Sequence, residues 1–82
     1  MSRAAIGSWL HQLYADADLT HMLVVCDTFD WNDYPVYVTR HQDVREREKY
    51  YRDASMQRVM EIYSANHSWE AQMAEDRAFH YD

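Results

Sequence analysis

The sequence predicts an α+β fold, and three observations carry that prediction. Ile6, Trp9, Leu10, Leu13, Tyr14 and Ala17 recur at the three- and four-residue spacing of an amphipathic helix. Residues 22–39 hold two runs of strand formers around an acidic, aromatic turn. From Gln42 onward the helical spacing returns. Strands segregated from helices in this way belong to α+β domains, and 82 residues make one small domain spanning 1–82. The expected architecture is an N-terminal helix, a β-hairpin, then two or three C-terminal helices packed on the sheet.

The first helix takes Ser2 as N-cap, because its hydroxyl can accept from an unpaired N–H of the first turn. Gly7 costs that turn about 1 kcal/mol relative to Ala. Asp16 and Asp18 oppose the negative C-terminal end of the helix dipole, so the helix should stop there.

The hairpin follows. Leu23, Val24, Val25 and Cys26 form a continuous apolar run within 21–29, the pattern of a strand buried on both faces. Val36, Tyr37, Val38 and Thr39 make a second strand over 34–39. Between them, Asp30, Trp31, Asn32 and Asp33 supply side chains that bond their own backbone in turns. Pro35 lacks an N–H, so the second strand belongs at an edge and the first at the centre. A two-stranded sheet is marginal alone, hence the need for helices on its faces or for a second copy of the chain. A homodimer would also shield the sheet edge.

Gln42–Asp53 reads as a solvated helix, with Glu48 and Arg52 paired at i,i+4. Met56, Val59, Met60 and Tyr63 share one helical face, so residues 54–64 read as a further helix, either capped by Ser55 or continuing the previous one. Ser68 caps a last helix on which Trp69 and Met73 share a face. Residues 78–82 are expected to fray.

Composition narrows the function. A single cysteine excludes an internal disulfide, and Cys26, among valines, reads as a small buried hydrophobe. Neither a signal peptide nor a membrane-spanning run is evident, which points to the cytoplasm. The net charge of −6 is uneven: residues 40–58 hold six basic groups against four acidic, and the flanking segments are acidic. Free duplex DNA is a poor partner for such a surface, and a basic protein surface a better one.

Each chemical constellation has a plain alternative. Asp27, Asp30 and Asp33 suggest a hard-cation loop, but EF-hand spacing and its glycine are absent and turn chemistry accounts for them. The five histidines show no His-x-x-x-His pair and no neighbouring cysteine, so no metal site and no cofactor are expected. No pair of groups has the spacing of mutual activation, so no catalysis is expected. Arg45, Lys49, Tyr50, Tyr51 and Arg52 form an alternative site, suited to fork contacts with phosphate and stacking on a base. The interspersed Asp43, Glu46, Glu48 and Asp53 favour pairing within the chain instead.

The stretch Val24-Val25-Cys26-Asp27-Thr28-Phe29-Asp30-Trp31-Asn32-Asp33-Tyr34-Pro35-Val36-Tyr37-Val38 resembles small acidic proteins carried by bacteriophages and prophages. Met56–Tyr63 and the segment Arg77-Ala78-Phe79-His80 add to the resemblance, which covers about residues 20–80. It implies a context: such proteins often bind and block a host factor, CRISPR and other defence proteins included. The expected function is therefore a non-enzymatic inhibitor that occludes a basic surface of a host protein. Its contact residues would be Asp27, Phe29, Asp30, Trp31, Asp33 and Tyr34, aromatic anchors beside carboxylates. The runner-up is a nucleotide- or signalling-phosphate-sequestering module built on residues 40–58.

Overall fold

A computed structural model describes residues 3–82, and the proposed cap Ser2 lies outside them. The elements are α1 (Arg3–Ala15), β1 (Leu19–Asp27), β2 (Asn32–Thr39), α2 (Val44–Asp53), β3 (Gln57–Ser64) and α3 (Trp69–Met73). They form a mixed α+β unit around an antiparallel three-stranded sheet of order β2-β1-β3. As the apolar run of β1 and the position of Pro35 require, β1 is central and β2 is an edge strand.

Side-chain alternation along β1 feeds two cores. Met22 and Val24 face α1, where Ile6, Leu10, Leu13 and Tyr63 are fully buried with them. Leu23 and Val25 face α2, with Val36, Val38, Val44 and Ile62. Burying one such aliphatic side chain contributes about 1.5–3 kcal/mol, so both faces of the sheet must be covered. Tyr37 ties β2 to α1 by donating from its hydroxyl to Trp9 O at 2.8 Å. Asp43 caps α2, its Oδ1 accepting from Arg45 N at 2.8 Å, and Ser68 caps α3 through Ala71 N at 3.1 Å.

Two expectations are corrected. Residues 57–64 are a strand, not a helix: β3 pairs with β1 from His21↔Ser64 to Asp27↔Gln57. Its register shifts between Val24 and Val25, placing Met60 and Glu61 at a bulge. Burial against β1 and the two helical layers overrides the helix propensity of Met, Glu and Gln. The segment 78–82 does not fray either. Ile62 N donates to Ala78 O at 2.8 Å and His80 N to Ile62 O at 3.0 Å, laying the tail parallel to β3. Ala78 is fully buried, and Tyr81 donates to Glu48 Oε2 on α2 at 2.7 Å.

Candidate functional site

The site is the end of the sheet where two turns meet. Asp27 closes β1 and its backbone O accepts from Trp31 N at 2.7 Å, making a tight loop. Asp27 Oδ1 accepts from Phe29 N at 2.9 Å and Asp30 Oδ1 from Asn32 N at 3.3 Å, so two of the three loop carboxylates shape the turn as the sequence suggested. The neighbouring turn between α2 and β3 is joined to it, because Thr28 N donates to Met56 O at 2.9 Å.

Among the described residues, two non-glycine residues have positive φ: Trp31 and Met56, each at 61°. An L-side chain in this left-handed region costs roughly 1–2 kcal/mol. Both are exposed, Trp31 by 69% and Met56 by 50%, and Phe29 beside them by 76%. This end of the sheet therefore presents three large apolar side chains to solvent, two of them on strained backbone. The chain's single glycine, Gly7, sits inside α1 instead.

The six proposed contact residues do not all share this surface. Phe29, Asp30 and Trp31 are exposed at the loop tip and Asp27 stands at its base. Asp33 and Tyr34, adjacent on β2, point to opposite faces of the sheet. Tyr34 packs half-buried against the α2-side core and donates to Gln57 Oε1 at 2.5 Å. Burial pushes its phenol pKa up. Tyr34 is thus a supporting residue, not an exposed anchor.

Asp33 lies on the α1 side, opposite Cys26. With Trp31, Arg58 and Met60 these residues line a groove of about 270 Å³ that α1 leaves uncovered. Burial raises the Cys26 thiol pKa, and the neighbouring Asp33 adds to the rise. A thiol held protonated is a weak nucleophile, so Cys26 serves as the apolar floor of the groove. Met56, Arg58 and Met60 are the site residues that sequence reasoning missed. The available signal was Asp53 and Ser55, turn-forming residues on either side of Ala54 ahead of Val59 and Ile62.

The alternative cluster on α2 is dispersed. Arg45 stacks 4.0 Å over the Tyr81 ring, and Arg47 lies 5.4 Å from the Tyr51 ring. Arg52 approaches Glu48 at 3.9 Å and Asp53 at 3.7 Å. Tyr51 is half-buried in the α2-side core and meets exposed Tyr50 edge-on at 5.0 Å. Lys49 and Tyr50 do line an open depression, but Glu46 and Asp53 line it too.

Comparison with protein-family models, with curated proteins and with solved structures finds no match to this chain. Among the described residues, no helix is long and apolar enough to cross a membrane.

Proposed function

We propose that this chain is a non-catalytic binding protein that docks on a basic surface of a host protein, with the Phe29–Trp31 loop and Met56 as its contact surface. The observation that carries this reading is the conformation of Trp31. A large indole is held 69% exposed at φ 61°, where glycine would cost nothing. Strain and exposure of this kind are tolerated where a bound partner repays them.

The chemistry of the occupant follows from the surroundings. Asp27, Asp30 and Asp33 flank the apolar side chains, so a basic partner gains orientation and association rate from them. Trp31 and Phe29 supply the affinity, about 2 kcal/mol or more each if desolvated at the centre of an interface. The groove beside Trp31, with an apolar floor and Asp33 and Arg58 at its rim, suits an amphipathic side chain of the partner. The resemblance to phage proteins makes a host defence effector the favoured target, blocked sterically at one site in the host cytoplasm.

The test is comparative capture from a bacterial lysate, with identification by mass spectrometry. Trp31→Ala and Asp30→Lys should each weaken capture of a basic host protein about tenfold or more, Trp31→Ala with the melting temperature held and Asp30→Lys with only the small drop that loss of its bond from Asn32 N brings. Equal capture by parent and both variants would remove this loop as the interface.

A further inference from the structure

The three chain segments around α3 converge on a cluster that local sequence spacing does not reveal. His67 lies in the loop after β3, Glu75 follows α3, and His80 and Asp82 lie in the tail. His67 Nε2 stands 2.9 and 3.0 Å from the two carboxylate oxygens of Asp82. The His67 and His80 rings lie 4.3 Å apart, tilted by 34°. One donor atom from each of His67, His80 and Asp82 lies within 4.8 Å of the other two. Glu75 Oε1 is 2.8 Å from His80 Nε2.

We infer that His67, His80 and Asp82 form a binding site for a divalent transition-metal ion of the zinc type. Two imidazoles and a carboxylate are a donor set for zinc and its neighbours, whereas calcium and magnesium take oxygen ligands. Tetrahedral zinc spaces its donors by about 3.4 Å, given bonds of roughly 2.0–2.2 Å, so small side-chain rotations close the cluster around an ion. Glu75 holds the His80 ring and adds a second carboxylate, and a carboxylate partner of this kind orients a metal-binding histidine. Together Glu75 and Asp82 offset the charge of the ion.

The site is organised by the fold without metal. The tail is fixed to β3 by the two backbone hydrogen bonds at Ile62. The loop carrying His67 is fixed from α1, where Tyr14 donates to His67 O at 2.5 Å, and by a side-chain bond from Asn66 to Asp82 O. His67 and His80 are half-buried and Asp82 is exposed, so an ion can enter from solvent and keep a water ligand.

The experiment is zinc chloride titration of the full chain by calorimetry at pH 7.5, with cobalt substitution read in the visible d–d bands. The expected result is one ion per chain and a raised melting temperature that a chelator returns to the metal-free value. His67→Ala, His80→Ala and Asp82→Asn should each weaken binding about tenfold or more, while His41→Ala leaves it unchanged. Asp82 is exposed, so Asp82→Asn reports on the site even where a histidine variant folds poorly. No binding at millimolar zinc overturns the inference, as does parent-like affinity in any of the three folded variants.

Discussion

Gln72 grips the main chain of Ser64 on both sides: its Oε1 accepts from Ser64 N at 2.8 Å and its Nε2 donates to Ser64 O at 2.8 Å. A side chain of α3 thereby imitates a strand partner at the end of β3. The same Nε2 also donates to Tyr14 Oη at 2.8 Å, binding α1 into the arrangement. Both Gln72 and Ser64 are fully buried.

Truncating that amide strands a buried N–H, and an unmade buried bond costs about 1–3 kcal/mol. Gln72→Ala should therefore lower stability by about 2–4 kcal/mol in urea unfolding, and Gln72→Glu, which lacks the amide donor, should also destabilise. A loss below about 0.5 kcal/mol in both variants would show that water replaces the amide without cost.

Two glycine substitutions test the backbone argument in opposite directions. Trp31→Gly should leave the melting temperature unchanged or raise it, since it relieves the left-handed strain while removing an exposed side chain. At Gly7 an added Cβ would meet Met73 Cε and Trp69 Cζ2 at 3.9 Å each, ordinary contact distances. Gly7→Ala should therefore stabilise by about 0.5–1 kcal/mol through helix propensity. Destabilisation by Trp31→Gly beyond about 1 kcal/mol would mean that the indole supports the fold.

His21 sets a pH dependence. It is buried on β1, with Nδ1 2.8 Å from Thr20 Oγ1 and Nε2 3.1 Å from Tyr81 O. Burial pushes its pKa below the usual imidazole value, with the Tyr81 carbonyl and Asp82 opposing that shift. The folded chain then binds fewer protons here than the unfolded chain. The contribution is fully present above the unfolded value of about 6.5 and is lost as pH falls through the folded one. The urea midpoint should drop between about pH 7 and pH 5, and His21→Gln should flatten that drop. An unchanged slope in the variant would assign the dependence to other groups.

The legibility of this fold in its sequence varies from element to element. The apolar run of β1 and the cap Ser68 are local signals, and the corresponding elements form where those signals lie, whereas the cap Asp43 of α2 emerges only in the structure. The strand β3 was hidden by its bulge. Val59 and Ile62 belong to the α2-side core, whereas Met60 and Tyr63 belong to the α1-side core. One extra residue turns a two-residue alternation into steps of three, which a periodicity argument reads as a helix. Phe29 and Trp31 were visible as candidates because they crowd a turn. Met56, Arg58 and the His67–His80 pair were not, because pairing distant in sequence brings them together.

The tail along β3 has a consequence for how the sheet can grow. It occupies the outer N–H and C=O of β3 at Ile62, while the outer margin of β2 is a place where another extended chain can add hydrogen bonds. Pro35 lies in that strand and offers no N–H, so an incoming strand finds a gap in the ladder at one position. An added strand thus meets an interruption on either margin, the tail at Ile62 on β3 and Pro35 on β2, which disfavours the open-ended stacking that two unbroken margins permit.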